Sequence, residues 1–173
     1  TTTGSLQTDG GLGVAKDAVI GNDIKLLSDA SVIHFGANSE ITLTHDLNAG
    51  VILKHKATGD DKPIVLTLET GETNIEAEDV IGSINFKAPD EETGDDARLV
   101  CAAIEAVSEG NFAADNNATK LSFKTGASEA ASEKMSLSSA GLLTVSGRLI
   151  TNNATDASNA TDGSLQTDGG LSV

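Results

Sequence analysis

Three histidines are the residues of this sequence best suited to binding a metal ion. His34, His45 and His55 lie about ten residues apart, so successive turns of a winding strand, or the axis of a trimer, could bring them together. Transition-metal sites more often have a His-x-His or i, i+4 pairing with hydrogen-bond partners behind the ligands. We therefore expect scattered polar or half-buried histidines, and predict neither a metal site nor a cofactor.

Acidic clusters are the second group that could bind a cation. The runs GDD, PDEE and GDDA occupy 59–61, 89–92 and 94–97. None of them fits the calcium loop that ends in a bidentate Glu, and the Gly-Gly-x-Gly-x-Asp pattern of calcium-binding β-rolls does not occur in the sequence. We expect solvated turns at all three.

Residues suited to covalent catalysis are few. Cys101 is the one cysteine, which rules out a disulfide within the chain, and its apolar surroundings, RLVCAAIEAV, predict a small buried residue. The sequence has no G-x-S-x-G elbow, no G-x-G-x-x-G turn between a strand and a helix, and no phosphate-binding loop. We predict no catalytic residue and no enzyme activity. Acid pairs for sugar cleavage come from different strands and leave no motif, so a polysaccharide depolymerase spike stays open as a minor alternative.

Composition limits the kind of core that the chain can build. The 173 residues carry a net charge of −15 and include only 2% aromatic residues. Large aromatic side chains fill ordinary cores, so we expect thin stripes of Leu, Ile, Val and Ala to be buried against other copies of the chain. An acidic surface repels phosphate groups, which argues against nucleic acid and anionic membranes as partners. Associated copies would repel one another at low salt, so we expect a saline environment.

A long internal repeat frames the sequence. The nonapeptide GSLQTDGGL stands at 4–12 and again at 163–171, an offset of 159 residues. We interpret the chain as one full repeat unit followed by the first residues of the next. Its opening, TTTG, lacks Met, and leads us to expect a piece of a longer polypeptide.

Short segments of alternating polarity lie between the two copies. Such alternation, bounded by Gly, Asn, Asp and Ser, predicts strands in six segments: 41–45, 64–68, 81–87, 120–124, 135–138 and 141–150. The stretch 95–110 has helical spacing with an Asp start and a Gly stop, but it also alternates as a strand. From the residues alone both interpretations stay open there.

Three segments carry a resemblance to a known family. The opening GSLQTDGGLGVAKDAVIG (4–21) resembles a motif of bacteriophage tail-fibre and related virion proteins, and SVIHFGANSEITLTHDLNAGVILK (31–54) resembles a segment that follows it in fibres of marine phages, including those of cyanobacteria. The stretch 97–147 is similar to a shaft module found upstream of self-cleaving chaperone domains. Its matching residues are Ala97–Leu99, Leu121, Phe123, Thr125, Glu133–Met135, Ser139 and Gly141.

The resemblance implies an all-β fold in an elongated, intertwined homotrimer built from β-helix, β-prism or β-spiral segments, with little or no helix beyond a possible short one in 97–108. It favours a strand within 95–110. We divide the chain into a first junction motif (1–23), two β-rich shaft modules (24–96 and 97–147), and a linker with the start of the next repeat (148–173).

The function implied is structural. The chain would form part of a virion fibre shaft that spaces a host-recognition tip from the particle. Its partners would be further copies of itself, other virion proteins and, through another part of the parent chain, a host receptor. No nucleic-acid partner and no membrane insertion are expected. A bacterial cell-surface adhesin stalk or extracellular filament remains the main alternative.

Overall fold

Antiparallel strands make up nearly all of the regular structure. The computed structural model describes residues 10–88 and 94–150. By its contacts the chain divides into two units, Thr1–Leu66 and Thr67–Val173, each of which contains one sheet. Each sheet is a meander in which every strand pairs with the next one along the chain. Short turns are sufficient to connect such strands.

The first unit contains a three-stranded sheet. Its strands are β1 (Val32–Phe35), β2 (Ile41–Asp46) and β3 (Gly50–His55). Ile33, Leu43 and Leu53 lie opposite one another and form an apolar row across the three strands. The turn after β1 requires a left-handed residue, which Gly36 supplies with a φ of 86°.

The second unit contains a five-stranded sheet. Its strands are β4 (Val80–Lys87), β5 (Val100–Ser108), β6 (Thr119–Thr125), β7 (Ser132–Leu137) and β8 (Leu143–Val145). The long strand β5 begins just after a single turn of 3-10 helix, Asp96–Arg98. Residues 95–110, for which helix and strand were both considered, therefore form mainly a strand. Of the short helix considered possible in 97–108, only Ala97 and Arg98, the last two residues of the 3-10 turn, are helical.

Ser108, at the end of β5, forms hydrogen bonds with the loop that comes just before β4. Its side chain is fully buried. Its hydroxyl donates to the carbonyl of Glu76 and accepts a hydrogen bond from the backbone N–H of Asp79 at 3.0 Å. The backbone of Ser108 also pairs with Glu78 and Asp79. A serine thus satisfies backbone groups of a loop that has no strand partner of its own.

Most of the strand predictions are confirmed, and one is wrong. Strands β2, β4, β6 and β7 cover the predicted segments at 41–45, 81–87, 120–124 and most of 135–138, whereas 64–68 forms no strand. The alternation in 64–68 is compatible with a strand, but no neighbouring segment of the described chain offers it a hydrogen-bonded partner. In 141–150 only Leu143–Val145 forms a strand, and it pairs with Met135–Leu137 of β7. One further backbone hydrogen bond, from Ser146 to the carbonyl of Lys134, follows the paired residues.

The apolar core within the chain is very small. Among the described residues, the buried apolar side chains are those of Ala103 and Val107, while most Leu, Ile, Val and Phe side chains are exposed. Ordinary domains bury most of their large apolar residues. This chain alone therefore leaves the apolar sides of its sheets in contact with water.

The fold class is thus all-β, with two antiparallel sheets. The intertwined trimer and the module boundaries stay predictions. The repeated nonapeptide lies almost entirely outside the described residues. Of its two copies, at 4–12 and 163–171, only residues 10–12 are described. No helix in 10–88 or 94–150 has the length and apolar character needed to cross a membrane.

Candidate functional site

One face of the five-stranded sheet has no charged residue in the rows that strand pairing aligns. Strand pairing aligns Ile84, Ile104, Phe123, Met135 and Val145 in a single row across all five strands. A neighbouring row consists of Ala106, Leu121, Leu137 and Leu143, on β5 to β8. We call this the apolar face, and it comprises Gly82, Ile84, Phe86, Ala102, Ile104, Ala106, Leu121, Phe123, Thr125, Met135, Leu137, Leu143 and Val145.

The apolar face is largely open to solvent. Phe86 is 51% exposed, Ile84 47% and Leu143 56%. At one margin Leu68 covers Gly82 so closely that a Cβ on this glycine would lie 3.2 Å from the Leu68 Cβ. The largest contiguous apolar patch on a monomeric protein is often a functional surface, and patches beyond a few hundred Å² mark interaction sites. The apolar face is therefore the strongest candidate for a functional surface in the described chain.

The opposite face of the same sheet carries the charges. We call it the charged face, and its central residues are Glu105, Lys120, Ser122, Lys124 and Glu133, most of which, with Glu78, line an open groove. Lys124 Nζ lies 2.5 Å from Glu105 Oε2. Lys120 Nζ lies 3.3 Å from Glu78 Oε2 and 3.7 Å from Glu133 Oε2. Both lysines of the groove are thus neutralised by carboxylates of the same chain.

Ser122 occupies the middle of the charged face and is fully buried. Its hydroxyl donates to Glu133 Oε2 at 2.8 Å. This hydrogen bond, with further contributions from Ser136 and the Lys120 charge, holds the pKa of Glu133 below its ordinary value. Burial opposes the charge of Lys120, but the hydrogen bond to Glu78 and the charges of Glu133 and Glu78 outweigh it, so the pKa of Lys120 is raised. The network therefore stabilises the charged forms of its own members.

The charged face has the chemistry of a structural network. A catalytic acid or base needs a pKa moved toward neutrality, whereas Glu133 and Lys120 are shifted in the opposite directions. A cation site needs carboxylates free of lysine partners. The described residues include no group of three or more His, Cys, Asp or Glu side chains arranged to hold a metal ion.

The three histidines are not brought together within the chain. His45 pairs with Val51 at one end of the three-stranded sheet, and His55 pairs with Ile41 at the other end of the same face. His34 pairs with Thr42 and points to the opposite face. The Nδ1 atom of His55 lies 3.2 Å from the carbonyl oxygen of Lys62.

The acidic runs differ in how much of them is described. Asp60 and Asp61 are exposed, and the Asp60 side chain accepts the backbone N–H of Asp61. Asp95 pairs with Arg98 at 2.8 Å. Both runs are exposed to solvent, as predicted; 59–61 forms a bend, whereas 94–97 leads into the single turn of 3-10 helix. The run at 89–92 lies entirely outside the described residues.

The prediction that Cys101 is buried is wrong. Phe86 pairs with Ala102 and Lys87 with Val100, which leaves Cys101 as the extra residue of a β-bulge. A bulged residue has no partner across the ladder, and the Cys101 side chain is exposed, with Sγ 3.2 Å from the carbonyl oxygen of Phe86. Its apolar sequence neighbours gave no sign of this irregular register.

Sequence reasoning did not identify either face as a site. The alternation of 120–124 already assigned Leu121 and Phe123 to one side of a strand and Lys120, Ser122 and Lys124 to the other. What it could not supply was the register that aligns these residues with Ile104, Met135 and Glu133 on neighbouring strands.

No protein-family model matches the chain, and a search of curated proteins finds no match.

Proposed function

We propose that this chain is a structural, non-enzymatic segment of the repetitive shaft of a homotrimeric viral fibre, and that it holds a host-recognition tip away from the virion. Its partners would be further copies of the chain and other virion proteins. The resemblance of 4–21, 31–54 and 97–147 to phage fibre segments motivates this assignment.

One structural observation carries most of the proposal. The described residues bury almost no large apolar side chains, although two well-formed antiparallel sheets are present. Folding must offset a conformational entropy of roughly 1–2 kcal/mol per residue, chiefly by burying apolar surface. Because the single chain buries so little, association with other chains is the natural source of the missing burial.

The repeat favours a shaft over a tip. A segment that recurs at a fixed offset of 159 residues can be added in tandem, so that the number of units sets the length of the assembly. The mechanism would be mechanical: intertwined chains set length and stiffness, and paired strands leave few open edges for aggregation.

Sedimentation velocity tests the proposal directly. A shaft segment should sediment as a trimer with a frictional ratio well above that of a compact protein of the same mass. A monomer, or a trimer with the frictional ratio of a sphere, would contradict it. The release of sugars from a bacterial capsule by the purified chain would contradict the non-enzymatic assignment.

A further inference from the structure

We infer that the apolar face of the five-stranded sheet is the surface on which one chain binds another copy of itself. This inference rests on the proposed function, since it names the surface through which the copies would associate. In a trimer, three such faces would meet around the common axis.

The distribution of charge favours a copy of the chain as the occupant. Each chain carries a net charge of −15, so most surfaces of two copies repel each other. The apolar face has no charged residue in its registered rows. It is therefore a surface through which two strongly acidic chains can approach without placing carboxylates against carboxylates.

The charged face reinforces this choice. Its two lysines are already paired with Glu78, Glu105 and Glu133 of the same chain. These ion pairs direct little electrostatic attraction outward, toward a partner. An occupant of the sheet is thus expected on the apolar side, where burial supplies the driving force.

The size of the apolar face also fits a protein partner. Five strands about 4.8 Å apart, with about five residues each at about 3.4 Å per residue, give a footprint of roughly 400 Å². Side chains such as Phe86 and Leu143 project from it and give an accessible area larger than the footprint. A stable interface buries about 800 Å² per partner, so the face can form the centre of one. Small-molecule sites are concave, whereas this surface is the open side of a sheet.

A pair of matched substitutions on β4 tests the inference. Ile84 lies on the apolar face, and the next residue, Asn85, is exposed on the opposite face of the same strand. Ile84→Glu and Asn85→Glu add the same charge to the same strand. We expect Ile84→Glu to weaken association by roughly 100-fold or more, because it buries an unpaired carboxylate. Asn85→Glu should leave association within a few-fold of the original.

Mass measurement across a dilution series reads out both variants. If the original chain is a trimer and Ile84→Glu assembles equally well, the inference is overturned while the proposed trimer stands. If Ile84→Glu and Asn85→Glu dissociate equally, the inference is also overturned, because the loss of association is then not specific to the apolar face. If the original chain is a monomer, the proposed function and the inference both fail.

Cysteine labelling provides a readout that does not depend on dissociation. In a Cys101→Ser background, Ile84→Cys should react with a maleimide reagent at least about tenfold more slowly than Asn85→Cys when the chains are assembled, because a buried thiol excludes the reagent. Denaturant should abolish the difference. Equal labelling rates in the assembled protein would overturn the inference.

Discussion

Ser122 offers the sharpest test of the charged face. The substitution Ser122→Ala removes one hydroxyl and adds no bulk at a fully buried position. The hydroxyl donates to the Glu133 carboxylate at 2.8 Å, and a hydrogen bond to a charged group contributes about 1.5–3 kcal/mol. The Glu133 side chain is 36% exposed, so water can partly replace the lost donor. We therefore expect a loss at or just below the low end of this range, about 1–1.5 kcal/mol.

A double-mutant cycle isolates this contribution. The free energy of unfolding, from urea denaturation followed by circular dichroism, would be measured for the original chain, Ser122→Ala, Glu133→Ala and the double variant. If the hydrogen bond acts as described, the two single losses overlap, and the coupling energy is about 1 kcal/mol. Additive losses, or a loss below about 0.3 kcal/mol for Ser122→Ala, would refute the reasoning.

Three further predictions concern pH, backbone geometry and salt. The pKa of Glu133 is lowered in the folded chain from an ordinary value of 4.5, so its contribution to the free energy of unfolding is present above pH 4.5 and is lost as the pH falls below that value. The free energy of unfolding should therefore decline less steeply from pH 6 to 2 for Glu133→Gln than for the original chain. Parallel curves would contradict this. A Cβ on Gly126 would collide with the backbone carbonyl of Glu129, whereas a Cβ on Gly147 would meet no atom within 4 Å. In urea denaturation, Gly126→Ala should therefore lower the free energy of unfolding by about 1–3 kcal/mol, and Gly147→Ala should lower it by less than about 1 kcal/mol. With a net charge of −15 on each chain, the melting temperature should rise between about 0.05 and about 1 M salt, where the Debye length falls to about 3 Å; a constant or falling value would argue against self-repulsion.

The strands were the part of the fold that the sequence predicted best. Residues such as Leu121 and Phe123 alternate with lysine and serine, and this period of two is a local property that needs no knowledge of neighbours. The segment 64–68 shows the limit of the method. Its alternation is equally regular, but a strand exists only where another segment pairs with it, and pairing is a property of the whole fold.

The candidate surface was beyond prediction for the same reason. The row from Ile84 to Val145 depends on four separate strand registers, including the bulges at Cys101 and Lys134 that shift one strand by a residue. A shift of one residue moves a side chain to the opposite face. Composition led us to expect thin apolar stripes, but it did not show which residues form them.

Native mass measurement of the chain at micromolar concentration tests the central claim most directly. The proposed homotrimer would bury the open apolar face and make up for the small apolar core, so the account predicts a dominant species with three times the 17.5 kDa mass of one chain. It should persist on dilution, because an intertwined assembly dissociates slowly. A stable, folded species with the mass of a single chain would contradict the account.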